Sequence, residues 1–176
     1  MTKLTTWSGR QIDYEDPSPD DIHIVDIATA LSRECRYVGH ASHFYSVAQH
    51  SVLCSRIVPQ ELAIEALLHD AAEAYLKDIP TPLKRLLPDY KVIEARFDRA
   101  IRVHFGLPEE PSPGMKEADN ILLVTEVRDL FPAGRVLHKV PVAAKPMSGR
   151  IWPLAPETAK EQFMDRFHFL TRSLKS

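Results

Sequence analysis

The sequence of 176 residues has few cysteines and no long apolar run, two features that often identify the class of a protein. Two cysteines, Cys35 and Cys54, match no cysteine-based zinc pattern; a disulfide between them stays open, although reduced buried thiols fit better. No apolar run approaches the roughly 20 residues needed to cross a bilayer. The N-terminus also lacks the hydrophobic core of a signal peptide. We therefore expect a cytoplasmic protein with no membrane partner.

The sequence also lacks an excess of either charge. Its 22 Lys and Arg residues against 24 Asp and Glu residues give a net charge of −2, which argues against binding to long nucleic acids. Only six glycines but 14 prolines favour helices joined by stiff loops, and 44% apolar residues are typical of a globular protein. At this length we expect a single domain over residues 1–176.

Apolar periodicity predicts the fold class. Residues about three and four apart recur through most of the chain, as on the buried face of amphipathic helices, and prolines separate the segments. We expect an all-α bundle of about six helices with a small N-terminal β-hairpin. The segment near 133–154 has no helical rhythm and is predicted to be irregular, either a surface loop or a flap. The predicted helices cover about 24–36, 45–57, 60–77, 89–105, 113–130 and the stretch from Pro156 onward.

Three ionisable residues stand inside the most apolar of these helices, over 60–77. Glu73 follows His69 by four residues and Asp70 by three, so all three side chains lie on one side of a helix. Burial of such groups without partners would cost several kcal/mol. A divalent cation bound by imidazole and carboxylate together would compensate. Core hydrogen bonds or a solvated helix face are the alternatives.

Two other predicted helices carry residues of the same kinds. His50 lies within the second helix, and Asp119 precedes the apolar run of the fifth. Each alone is typical of a hydrogen-bonded or surface side chain. Together with His69 and Asp70, however, they supply His, His-Asp and Asp in chain order from three helices. We expect neither cysteine to belong to this site.

This order resembles the H…HD…D motif of the HD-domain metal-dependent phosphohydrolase superfamily. Residues 69–84, HDAAEAYLKDIPTPLK, resemble the HD-A-x-E…D-[IL]-P-T-P-x-K stretch of the subgroup with bacterial 5′-deoxynucleotidases. Residues 45–51, YSVAQHS, resemble its V-[AS]-[EQ]-H-S segment. The resemblance covers about 24–130. Arg36-Tyr37 stands nearest to the place where those nucleotidases carry an Arg-Trp pair, which leaves the nucleotide preference open.

The resemblance implies an HD-domain bundle that hydrolyses a phosphomonoester of a small nucleotide-like substrate with a metal-activated water. The metal would be one divalent ion: Mn, Co, Fe, Ni, Zn or Mg. Its implied ligands are His50, His69, Asp70 and Asp119, and Glu73 is the implied acid, base or water-positioning residue beside Asp70. Asp78, Arg36 and Lys84 are the implied substrate-binding residues.

Other functions stay open at this point. An HD hydrolase of nucleoside triphosphates, cyclic nucleotides or guanosine polyphosphates has the same motif. A metal-containing module that binds a nucleotide or regulates a partner without turnover is a second class, and a metal-free helical dimer is a third. The resemblance also implies a small phosphorylated metabolite as partner and suggests a homodimer.

Overall fold

The computed structural model of the protein describes residues 2–134 and 143–172. Within these ranges the chain forms a two-stranded hairpin and eight α-helices, so the predicted all-α class with a small hairpin is confirmed. The hairpin pairs the strands Lys3–Thr5 and Gln11–Asp13 antiparallel, with Leu4 opposite Ile12. The elements are β1 (Lys3–Thr5), β2 (Gln11–Asp13), α1 (Ile24–Arg33), α2 (Val47–Ile57), α3 (Ala63–Leu68), α4 (Glu73–Leu76), α5 (Thr81–Lys84), α6 (Pro88–Phe105), α7 (Gly114–Leu130) and α8 (Pro156–Arg172).

Local signals set where several helices begin and end. The Ser46 side chain accepts a hydrogen bond from the Gln49 backbone N–H at 3.1 Å and so caps the start of α2. Pro88 begins α6, where its missing N–H has no helical partner to lose. Gly106 ends α6 at φ +64°, in the left-handed region that favours glycine. No described helix has both the length and the apolar content that a membrane span requires.

The predicted continuous helix over 60–77 is wrong in one respect, because the structure divides it. Between α3 and α4 the hydrogen bonds join residues three apart: Ala71 N–H donates to the Leu68 carbonyl and Glu73 N–H to the Asp70 carbonyl, both at 3.0 Å. His69 keeps helical angles (φ −62°, ψ −31°), so the chain continues in a tighter 3₁₀-like turn. Apolar spacing cannot distinguish these two hydrogen-bond patterns.

The hydrophobic core lies where α8 packs across α1, α2 and α3. Phe163 of α8, Leu31 of α1, Val52 of α2 and Leu67 of α3 are all essentially inaccessible to solvent. Burial of one such side chain contributes about 1.5–3 kcal/mol. This packing fixes α2 and α3 against each other, and these two helices carry His50 and lead into His69.

A buried carboxylate docks the hairpin on the bundle. Asp26 of α1 is 3% exposed and accepts hydrogen bonds from the Thr6 hydroxyl at 2.8 Å and from the Ser8 backbone N–H and hydroxyl, both at 2.7 Å. Ile12 of β2 is fully buried in the main core. The hairpin is therefore attached by both polar and apolar contacts.

Candidate metal centre and adjoining cleft

Three separate elements bring the four predicted ligand residues together. His50 lies on α2, His69 and Asp70 lie in the turn after α3, and Asp119 lies on α7. The Nε2 atom of His50 is 3.3 Å from His69 Nε2 and 3.5 Å from Asp70 Oδ2. It is also 3.8 Å from Asp119 Oδ1, and His69 Nε2 is 3.1 Å from Asp70 Oδ2. All four side chains thus point to one small region of space.

The second ring nitrogen of each histidine is already bonded. His50 Nδ1 lies 2.7 Å from Glu126 Oε1, and His69 Nδ1 lies 2.8 Å from the Ala66 carbonyl oxygen. Since both partners are acceptors, each Nδ1 is a donor, and in the neutral imidazole Nε2 then keeps its lone pair. This is the tautomer in which Nε2 can bind a metal, with the orientation fixed by the other nitrogen.

The carboxylate of Glu126 was not identified from sequence, and it is the most buried charge of the site. It has no exposed surface, and besides His50 it accepts hydrogen bonds from the Tyr37 hydroxyl and, at 3.5 Å, from Arg36. Burial alone would raise the pKa of Glu126, but Arg36 and His50 lower it to about 2. Glu126 follows Asp119 by seven residues, two turns along the same face of α7, and this spacing was the available signal.

Tyr37 reaches Glu126 from a strained segment. Arg36–Gly39 forms a 3₁₀ turn in which Tyr37 (φ +58°) and Val38 (φ +54°) both have left-handed backbone angles. Such angles are uncommon for residues other than glycine, and most of all for a β-branched one. The turn is stabilised by the Tyr37–Glu126 hydrogen bond and by an edge-to-face contact of Tyr37 with Phe131.

Cys54 lies at the site, contrary to the expectation from sequence. Its Sγ is 3.7 Å from His50 Nε2, and His50, Cys54 and His69 offer potential ligand atoms that lie within 4.8 Å of one another. Burial raises the pKa of the Cys54 thiol, and the nearby carboxylates of Asp70 and Asp119 raise it further. Because a thiol binds a metal only as the thiolate, Cys54 would have to lose this proton to act as a ligand.

The donor set fits a divalent transition metal. Two imidazole nitrogens with free lone pairs and two carboxylates suit Zn, Mn, Fe, Co or Ni better than Ca, which prefers oxygen ligands alone. Desolvation would raise the pKa of Asp70, but His69, His50 and Arg36 lower it, so the group is ionised as a ligand must be. The residues present can therefore hold such an ion.

Glu73 lies at the start of α4, beside this centre. Its side chain is 10% exposed and one oxygen, Oε1, is 3.9 Å from Lys84 Nζ, while the other has no hydrogen-bond partner among the described residues. Burial together with the carboxylates of Asp70 and Asp78 raises the pKa of Glu73 well above its usual range. A raised pKa makes a carboxyl group take up a proton more readily, which suits an acid or base in proton transfer.

The three predicted substrate-binding residues have different surroundings. Asp78 is partly buried, and burial and the Asp70 carboxylate raise its pKa. Lys84 Nζ lies 2.5 Å from Glu94 Oε1, so its charge is partly neutralised. Arg36 lies between two carboxylates, 3.4 Å from Asp70 Oδ2 and 3.5 Å from Glu126 Oε2. Of these residues, only Lys84 lines the adjoining cleft.

An open cleft of about 550 Å³ adjoins the candidate metal centre. One wall is the face of α6 that carries Glu94 and Asp98, and the floor contains His69, Asp70 and Glu73. The second wall is the start of α7, where a Cβ atom on Gly114 would come 2.9 Å from Leu62 Cδ1. The close approach at Gly114 brings the first turns of α7, and with them Asp119, near the end of the cleft floor.

The described part of the predicted irregular segment does not cover this cleft. Gln49 donates from Nε2 to the Trp152 carbonyl at 2.8 Å and accepts from the Leu154 N–H at 3.0 Å. The Ile151 N–H donates to Asp129 Oδ2 at 2.8 Å. Residues 151–154 are therefore attached along α2 and α7, and no residue of 143–154 lines the cleft. Positions 135–142 lie outside the described residues.

Comparison with known proteins gave relatives of two kinds, whereas no protein-family model matches the chain. The chain is 52% identical to the uncharacterized protein YfdR of Escherichia coli, with 99% of both chains covered. It is 34% identical to an uncharacterized protein of Rhodobacter capsulatus, over 95% of this chain and 94% of the relative. It is also 32% identical to a 5′-deoxynucleotidase of Vibrio cholerae, over 46% of this chain and 42% of the relative. The last match supports a distant relationship to the 5′-deoxynucleotidases.

Proposed function

The chain belongs to the family of the Escherichia coli protein YfdR, and we propose that it is a metal-dependent phosphohydrolase of the HD-domain type. Its proposed substrate is a phosphomonoester of a small nucleotide. The observation that carries the proposal is the convergence of His50, His69, Asp70 and Asp119 from three elements beside an open cleft. The distant relationship to 5′-deoxynucleotidases supports the same class of reaction.

In this proposal the two histidines bind the ion through Nε2, and Asp70 and Asp119 supply the carboxylate ligands. A divalent ion held there would lower the pKa of bound water and screen the negative charge of a phosphoryl group. Glu126 and the Ala66 carbonyl hold the imidazoles in the required tautomer. The protein would thus supply an oriented, partly buried ligand set before the substrate arrives.

The remaining roles follow from charge and position. Glu73, whose pKa is raised by burial and by Asp70 and Asp78, would orient the water or take its proton and return one to the leaving oxygen. Lys84, near Glu73, would donate hydrogen bonds to the phosphate oxygens. Arg36 is engaged by Asp70 and Glu126, so its proposed part is to hold these carboxylates while it offers remaining N–H donors.

The cleft supports a substrate of mononucleotide size. A volume of about 550 Å³ lies within the range of 300–1,000 Å³ that small-molecule sites usually have. A structural metal site is usually closed by its protein ligands, whereas a catalytic one adjoins open space. The cleft therefore favours turnover over a metal-containing module that only binds. The proposed homodimer stays a prediction.

The proposal is tested by phosphate release. The purified protein with Mn²⁺ or Co²⁺ is incubated with a panel of ribo- and deoxyribonucleoside monophosphates, and inorganic phosphate is measured. We expect release from at least one substrate. We expect at least a hundredfold loss in Asp70→Ala, because that change removes a metal ligand and a charge of the site together. Asp165→Ala, an exposed carboxylate on α8, is the matched control and should keep full activity.

Two results would contradict the proposal. One is no phosphate release across the whole panel with any of the divalent ions. The other is equal release by the parent protein and Asp70→Ala, which would identify a contaminating phosphatase. Metal uptake without release of phosphate from any ester would favour the binding module instead.

A further inference from the structure

A second cavity lies away from the candidate metal centre. Its volume is about 320 Å³, and its walls are residues 4–7 of the hairpin, one face of α1, and Ala74 and Tyr75 of α4. It shares no lining residue with the cleft. The cavity is at the lower end of the usual size range for small-molecule sites.

Arg33 and the exposed ring of Trp7 line this cavity, and Lys160, which does not line it, lies over the same ring. The Trp7 side chain is 63% exposed, the Arg33 guanidinium carbon lies 4.8 Å from its ring centroid, and Lys160 Nζ lies 5.6 Å from it. Within the part of the chain that the structure describes, neither cation forms an ion pair with a carboxylate. In the described residues, therefore, no carboxylate occupies the N–H donors of these two side chains.

The cavity lining also contains one carboxylate, that of Asp26. Asp26 already accepts three hydrogen bonds, from the Thr6 hydroxyl and from the Ser8 N–H and hydroxyl. These bonds attach the hairpin and leave little of the carboxylate for Arg33 or Lys160. An anionic ligand would satisfy both cations, and a flat ring would cover the apolar surface of Trp7.

We propose that this cavity binds a nucleotide-like anion as an effector, with its phosphate at Arg33 and Lys160 and its ring against Trp7. Binding at this cavity is independent of the hydrolytic function proposed above, because it uses none of the same residues; only its effect on activity rests on that function. Ala74 and Tyr75 directly follow Glu73, so the four-residue helix α4 separates the cavity from the cleft. A ligand in the cavity would therefore bias the position of Glu73 and change activity at the cleft.

The test uses tryptophan fluorescence of the 176-residue chain. The chain has two tryptophans, so Trp152→Phe leaves Trp7 as the reporter. AMP, adenosine and inorganic phosphate are titrated separately into Asp70→Ala/Trp152→Phe, which prevents turnover. We expect a saturable Trp7 signal with AMP, and much weaker binding of adenosine or phosphate alone, since each lacks one of the two contacts.

The cations are then removed in the same background. Arg33→Ala/Lys160→Ala should weaken AMP binding about tenfold or more, since two charge-assisted contacts are lost. Arg99→Ala/Lys145→Ala removes two exposed cations elsewhere and should leave the titration unchanged. Thermal melting of every variant shows whether it is folded.

Several outcomes would overturn the inference. These are no saturable Trp7 signal up to millimolar AMP, equal AMP affinity after removal of Arg33 and Lys160, or equal affinity for phosphate alone. Phosphate release by the parent protein, measured in parallel, keeps the two proposals distinguishable. A Trp7 response without any hydrolysis refutes only the proposed function, and hydrolysis without the response refutes only the effector site.

Discussion

Replacement of Glu126 by glutamine tests how the candidate metal centre is oriented. The change keeps the size of the side chain and an acceptor oxygen for His50 Nδ1 but removes the charge that Arg36 faces. A pKa shift of Glu126 from 4.5 to about 2 corresponds to about 3 kcal/mol in favour of the ionised form. Since glutamine retains part of the hydrogen bonding, we expect a loss of about 1–3 kcal/mol in the free energy of unfolding.

Two measurements follow for this variant. Thermal melting should show a midpoint lower by about 2–12 °C, on the basis of about 2–4 °C per kcal/mol for a chain of this size. Calorimetric titration with Mn²⁺ should show an affinity about 10–100-fold weaker, because the partner that orients His50 is altered. Glu117→Gln, at an exposed position on the same helix, should change neither value.

The pKa of Glu126 also predicts how the stability of parent and variant depends on pH. The folded-state pKa of Glu126 is depressed, so its contribution is fully present above the unfolded pKa of about 4.5 and is lost as pH falls toward 2. The stability difference between parent and variant should therefore be constant near neutrality and shrink in acid. An unchanged Mn²⁺ affinity together with an unchanged melting point would refute the orienting role of Glu126.

Three further predictions concern other parts of the molecule. Arg102→Ala leaves the buried Glu65 carboxylate without its guanidinium partner and should lower the free energy of unfolding by about 3–5 kcal/mol, measured by guanidinium titration. The control Arg99→Ala, at an exposed position, should lower it by less than about 0.5 kcal/mol. Equal effects of the two changes would contradict this prediction. Val38 is 56% exposed and has left-handed backbone angles, which asparagine adopts more readily than valine, so Val38→Asn should stabilise the protein by about 1 kcal/mol. The control Val92→Asn, within α6, should destabilise it slightly. Destabilisation by Val38→Asn would count against backbone strain at this position. Mn²⁺ at a hundred times its dissociation constant should stabilise the protein by about 2.7 kcal/mol, reversibly with chelator, and a melting point indifferent to both would argue against a metal centre.

The helices that carry the site were largely predictable. Prolines and glycines stop helices by local backbone chemistry, and apolar spacing reports the buried face, so α1, α2, α6 and α7 begin and end close to the predicted positions. The division of the central helix was not predictable, because residues with the same apolar spacing accept both hydrogen-bond patterns. The 3₁₀-like turn at His69 and Asp70 depends on packing against neighbouring helices.

The residues of the candidate site were also predictable only in part. His50, His69, Asp70 and Asp119 could be selected from sequence because their residue types and order form a pattern along the chain. Glu126 and Cys54 could not be selected with the same force, although Cys54 is four residues after His50 and Glu126 seven after Asp119. Many buried and surface residues have such spacings, and only the packing of α2 against α7 shows which of them face His50.

By itself, the sequence determined the helical class, the hairpin and the choice of four candidate ligand side chains, since these depend on local periodicity and on the order of residue types. Only the tertiary structure decided that Glu126 orients His50 and that Arg36 is held between two carboxylates. The physical reason is distance. A hydrogen bond or ion pair between helices requires atoms within about 3–4 Å, and residues far apart in the chain reach that separation only after the helices have packed.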